Sequence, residues 1–131
     1  MVHFVTHLES TADGSSLAAD RLHTVHGGRP LLVRYDLEAV AANFSKSGLA
    51  GREPDLWRYQ ELLPLRDQAH RVSLGEGMTP LLACPRLGAS LGVPNLHIKD
   101  ESQLPTGSFK ARGMAMAVSM AVAVRSVGLA S

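Results

Sequence analysis

The 131-residue chain is 45% hydrophobic and carries a formal charge of +1, from thirteen basic and twelve acidic residues spread along its length. That balance is that of a globular domain with a core of its own. It argues against disorder, a nucleic-acid surface or an anionic-membrane surface as the organising feature. Cys84 is the only cysteine, so neither a disulfide framework nor a thiolate zinc cluster can form within one chain, and a free thiol fits a reducing compartment. Residues 1–10 have no basic n-region and no apolar h-region, and the longest apolar run, residues 113–124, is interrupted by Ser119 and too short to cross a bilayer. A soluble, cytoplasmic protein without nucleic-acid or membrane partners is expected.

Residues 1–29 read as an irregular opening, with turn chemistry at Asp13-Gly14-Ser15-Ser16 and again at His26-Gly27-Gly28-Arg29-Pro30. His3, His7, His23 and His26 form spaced pairs, but no strand or helix register orders them, so solvated histidines are expected and no metal site is assigned. Residues 30–35 predict a short strand. Asp36 comes next as the N-cap of a helix over residues 37–44, whose apolar face is Leu37, Val40, Ala41 and Phe44. A polar linker leads to Pro54, which opens a second helix over residues 55–63 with a core stripe of Leu56, Tyr59, Leu62 and Leu63, and Trp57 and Arg58 beside it.

The glycine-bearing loop 74–81 lacks phosphate-loop spacing, and Glu76 would repel a phosphate, so a structural turn into a strand at 80–82 is expected. Pro85 opens a short helix closed by Gly92. A strand over residues 95–99 runs into Lys99-Asp100-Glu101, which position alone reads as solvated charges. The last helix runs from Gly107 or Ser108 to Val127 and is apolar on nearly all sides, with Phe109, Met114, Met116, Val118, Met120, Val122, Val124 and Val127, as is normal for a helix buried between layers.

Lys110 stands out in that helix. A cation in the first turn faces the positive end of the helix dipole, which favours loss of its proton. A readily deprotonated lysine is what Schiff-base chemistry requires. Spacing alone leaves an ordinary surface lysine as the simpler reading. Thr106-Gly107-Ser108-Phe109-Lys110-Ala111-Arg112-Gly113, preceded by Lys99-Asp100-Glu101, resembles the cofactor-lysine motif of the fold-type-II pyridoxal-phosphate enzymes. Leu56-Trp57-Arg58-Tyr59, Glu61-Leu62-Leu63-Pro64 and Leu74-Gly75-Glu76-Gly77-Met78-Thr79-Pro80-Leu81 resemble the run that leads into the catalytic core of the threonine synthases.

The resemblance covers roughly residues 30–125. It implies an α/β, tryptophan-synthase-β-like fold, present as the N-terminal portion of an incomplete three-layer domain. Residues 30–131 would be that portion, and residues 1–29 would occupy the position of a degenerate zinc ribbon without its cysteines. It further implies pyridoxal 5'-phosphate as cofactor, Lys110 as its covalent anchor and catalytic base, Phe109 near the cofactor ring, and Ser108 near its phosphate or hydroxyl. The implied reaction converts O-phospho-L-homoserine and water to L-threonine and phosphate, with a homodimer as the candidate full-length assembly. Because the family's later phosphate-cradling loop has no counterpart in the sequence, residues 1–131 alone are expected to be a truncated piece with little or no activity. The alternatives are part of another fold-type-II enzyme, such as a threonine dehydratase, and a non-catalytic remnant or interaction module.

Overall fold

A computed structural model describes residues 3–128 of the chain; Met1, Val2, residues 129–131 and the side chain of Val127 lie outside the described residues. The first unit is a three-stranded antiparallel sheet of order β2-β1-β3, made from β1 (Val5–Ser10), β2 (Ser16–Leu17) and β3 (Leu31–Tyr35). Leu8 is the register mark, facing Leu17 on one side and Val33 on the other. Residues 1–29 therefore differ from the irregular opening expected of them. The turn at residues 13–16 is a hairpin turn, with Gly14 at φ 75 and Asp13 Oδ1 accepting from the Ser15 amide at 3.0 Å. Its strands escape period-two detection because β1 places His7 and Glu9 where apolar residues would mark a face. What holds that face is charge: Glu9 takes a two-pronged bond from Arg34, at 2.9 and 2.6 Å, across the β1–β3 ladder.

The expected strand over residues 30–35 is β3, and α1 (Leu37–Asn43) comes after it with Asp36 Oδ1 accepting from the Ala39 amide at 2.9 Å. The helix expected over 55–63 forms instead as a 3-10 segment, Leu56–Leu62, kinked at Tyr59. Its carbonyls find partners outside an α ladder. The Arg52 guanidinium donates to the Arg58 carbonyl at 2.7 Å while also clamping Glu61 at 2.8 and 2.7 Å. The kink also reverses the expected packing. Trp57, not the Leu56–Tyr59–Leu62 stripe, is fully buried, whereas Tyr59 stays 40% exposed. Trp57 forms the core with Leu65 and Met120, and Leu63, Met116 and Ala123 pack against it.

The second sheet is an antiparallel pair, β4 (Leu81–Ala83) with β5 (His97–Lys99), joined through α2 (Pro85–Ser90). Gly92 takes φ 70 just beyond that helix, as its position after the expected C-terminus requires. The long helix α3 (Lys110–Gly128) buries a narrow stripe of small residues, Ala111, Ala115 and Ser119. Ser119 Oγ donates to the Ala115 carbonyl at 2.7 Å and accepts the Val72 amide at 2.9 Å, which fixes the approach to the 74–79 loop against α3. Its other faces differ from the all-round burial expected of them: Met114, Val118, Val122 and Val124 are exposed among the described residues. The architecture is mixed α/β. No helix among the described residues is long and apolar enough to cross a membrane.

Candidate cofactor-lysine site

The turn that delivers Lys110 is built from its own backbone. Asp100 caps the 3-10 segment Glu101–Gln103 by accepting the Ser102 amide at 3.0 Å. Leu104 is buried and anchors the start of the turn, and the Gly107 amide closes back on its carbonyl at 2.7 Å. Gly107 stands at φ 65, a left-handed conformation that a side chain would strain. Ser108 then starts α3: its Oγ accepts the Lys110 amide at 3.3 Å and its carbonyl accepts the Ala111 amide at 3.1 Å. Thr106 Oγ1 donates to the same Ser108 carbonyl at 3.3 Å.

Lys110 is the first residue of α3 and is exposed, so burial adds nothing to its chemistry here. Among the described residues its amine makes no hydrogen bond and no ion pair. Phe109 beside it is 65% exposed, and Ser108 is half-buried. The three expected site residues therefore share one turn, in the order of a serine that shapes the helix start, an exposed aromatic ring and a lysine whose amine is unengaged among the described residues. A free primary amine on a rigid helix end fits the covalent anchor of an aldehyde cofactor. One turn on, Met114 lines a cleft of about 160 Å³ between α3 and residues 72–76, with Glu76 on its far wall. Glu76 is buried and accepts the Leu74 amide at 2.7 Å and the Ser73 hydroxyl at 3.2 Å, so the loop is the structural turn expected of it.

The charges expected to be solvated at residues 99–101 are instead engaged. Glu101 receives Arg112 Nε at 2.7 Å and Nη2 at 3.0 Å, and Thr79 Oγ1 donates to it at 2.5 Å. Lys99 donates to the Thr79 carbonyl at 2.7 Å. These bonds tie the β4 and β5 ends to the first turn of α3, so they hold the Lys110 turn in place. Adjacency hid them: Glu101 and Arg112 lie eleven positions apart, and only the fold makes them neighbours. The available signal was that Arg112 sits inside the same motif as Lys110.

The bonds from Arg112, then from Thr79, hold the Glu101 carboxyl down from its usual 4.5 to about 2. The unfolded chain therefore takes up the proton first on acidification. The stabilisation from this pair is complete above about pH 4.5 and is lost as the pH falls towards about 2. Urea midpoints measured across that window should fall more steeply for the native protein than for Glu101→Gln. Parallel curves would show that the pair carries no stability.

Among the described residues, no group of three or more His, Cys, Asp and Glu side chains is placed to hold a metal ion. His23 instead bonds the Ala18 carbonyl at 2.9 Å, and His26 faces Asp13 at 3.4 Å.

Comparison with known proteins bears on the same segment. Residues 72–129 match the family described as pyridoxal-phosphate dependent enzyme. The chain is 43% identical over 112 residues to the threonine synthase of Methanocaldococcus jannaschii, covering 84% of this chain and 28% of that protein. It is 39% identical over 90 residues to the threonine synthase of Methanosarcina acetivorans, 69% of this chain and 21% of that protein. Against the threonine synthase of Mycobacterium leprae, identity reaches 51% over 65 residues, half of this chain and 18% of that one. The chain thus spans between about a fifth and under a third of the length of these relatives. Residues 72–129, which include the Lys110 turn and its Glu101–Arg112 brace, match the pyridoxal-phosphate dependent enzyme family, and the chain is similar to the threonine synthases.

Proposed function

We propose that the protein carrying these residues converts O-phospho-L-homoserine and water to L-threonine and phosphate, with Lys110 as the covalent anchor of pyridoxal phosphate. The observation that carries this reading is an exposed, unengaged Lys110 amine at the head of α3, inside the family-matched segment of a chain 43% identical to a threonine synthase. Bound there, the cofactor supplies an electron sink for negative charge developing at the substrate carbons. Lys110 Nζ does two jobs in turn. It would hold the cofactor covalently, and as a free amine it would take the substrate Cα proton and carry it for later return.

Ser108 sets the direction from which Nζ approaches, because its Oγ fixes the Lys110 amide at the helix start. By the same resemblance, Ser108 would lie near the cofactor phosphate or hydroxyl, and Phe109, exposed beside the lysine, would lie near the cofactor ring. Glu101 and Arg112 position the turn and make no claim on substrate. The fold-type-II, tryptophan-synthase-β-like architecture, a full-length homodimer and a cytoplasmic setting belong to the same proposal. Residues 1–131 alone, aligned to 28% of the Methanocaldococcus jannaschii relative, are expected to turn over little or no substrate.

The test is an assay of the protein purified from its source with pyridoxal phosphate present. Phosphate and threonine should appear from O-phospho-L-homoserine in equal amounts. Ammonia released from threonine, with phosphohomoserine left intact, would assign a dehydratase instead.

A further inference from the structure

We propose that the cleft between Arg58, the 77–79 loop and Lys99 is a binding site for a small phosphate-type oxyanion. The cleft has a volume of about 200 Å³. That is below the ~300–1,000 Å³ typical of pockets for drug-sized ligands, so it suits an ion or a very small ester. Two carboxylates stand on its wall, and each is already matched. Asp55 takes Arg71 at 2.9 Å and the Ser73 hydroxyl at 3.1 Å, and Glu101 is held by Arg112 and Thr79.

Two cations on the same wall, Arg58 and Lys99, have no carboxylate partner among the described residues, although the Arg58 guanidinium lies over the Tyr59 ring at 5.6 Å. Arg58 Nη2 donates to the Leu49 carbonyl at 3.3 Å, and its Nη1 faces the Met78 thioether at 2.9 Å, a weak acceptor. Its Nε is buried with no acceptor among the described residues. Leaving a buried charged donor unmade is costly, and such a group in a folded protein calls for an ion or water to explain it. Among the described residues Lys99 bonds only the Thr79 carbonyl, leaving two of its three donors open.

The backbone supplies more donors. The amides of Gly77 and Met78, which line the cleft, have no hydrogen-bond acceptor among the described residues. Met78 is held at φ 45, a left-handed conformation unusual for its side chain, and backbone of that kind forms anion-binding concavities. Gly77 beside it admits no side chain, since a Cβ there would fall 2.6 Å from the Pro54 carbonyl oxygen. A guanidinium fork, an ammonium and backbone amides around one small cleft outnumber the two oxygens of a carboxylate and match the four of a phosphate.

The site is separate from the lysine chemistry. Arg112, which borders the cleft, comes two residues after Lys110 and so points roughly 200° around the helix from it. Lys110 does not line the cleft, so anion binding there does not require its amine.

Titration of the full chain with inorganic phosphate, followed by calorimetry at constant ionic strength set with sodium chloride, tests it. Saturable binding is expected, weakened roughly tenfold or more in Arg58→Gln, weakened severalfold in Lys99→Met, and unchanged in Lys110→Ala. Lys99 is exposed, so Lys99→Met keeps the test valid if Arg58→Gln fails to fold. A parallel titration with methyl phosphate separates the sources: binding equal to that of phosphate assigns the site to phosphate esters, and weaker binding assigns it to the free ion. No saturable phosphate binding, equal binding by the native chain and Lys99→Met, or loss of binding in Lys110→Ala would overturn the proposal.

Discussion

In the protein purified from its source, Lys110→Ala is expected to abolish covalent retention of pyridoxal phosphate and to cut turnover of O-phospho-L-homoserine by at least ~10³-fold. The chain has three lysines, Lys46, Lys99 and Lys110. Lys99 already donates to the Thr79 carbonyl and lies outside the Lys110 turn, and Lys46 precedes the short 3-10 segment Ser47–Leu49, outside the family-matched residues. Borohydride treatment with the cofactor, then peptide mass mapping, should therefore place the pyridoxyl label on the peptide holding Lys110. A label on Lys46 or Lys99 would refute the assignment. Lys110→Arg should fail as completely as alanine, since a guanidinium keeps the charge but cannot lose the proton that makes an amine nucleophilic. Because Lys110 is exposed and has no partner among the described residues, both variants should stay within about 0.5 kcal/mol of the native stability. Chemistry lost without stability separates a reacting group from a structural one.

How much of this was legible depended on whether the information was local. The Asp36 cap, the Gly92 stop and strand β3 rest on single-residue chemistry and short spacing, and the structure has them where expected. The helix start at Lys110 was legible for the same reason, since Gly107 and Ser108 act within one turn of it, whereas the role expected of Lys110 came from resemblance and not from spacing. Three features needed partners far along the chain. Strand β1 is held by Arg34 from β3, a pairing that no alternation within residues 5–10 announces. The 3-10 form of Leu56–Leu62 results from Arg52 capturing a carbonyl that an α-helix would have used. Glu101 reads as a solvated charge until α3 brings Arg112 alongside. The orphaned Nε of Arg58 lies further still from sequence reasoning, because an absent partner leaves no pattern.

Trp57→Ala should cost ~3–5 kcal/mol, a large share of the ~5–15 kcal/mol that holds a typical domain together. Trp57 is 1% exposed and touches Leu65 and Met120, so its removal opens a void bounded by the 3-10 segment and by α3. Neither wall can collapse freely. The 3-10 segment is clamped by the Arg52–Glu61 pair, and α3 is held to Val72 through Ser119. The loss is not only apolar. Trp57 Nε1 donates to the Val72 carbonyl at 3.1 Å, and the Val72 amide donates to Ser119, so one residue is held through both of its backbone groups. Trp57→Phe fills most of the volume but leaves that carbonyl without its donor, which should cost ~1–3 kcal/mol. Urea unfolding of the three proteins gives the order: native most stable, then phenylalanine, then alanine. An alanine variant within about 1 kcal/mol of native would mean that the contact between the 3-10 segment and α3 is not the core of this fold. The Val72 peptide leads directly into Glu76 and Thr79, so the alanine variant should also lose the low-pH instability attributed to Glu101, because the Thr79–Glu101–Arg112 brace depends on that loop being held.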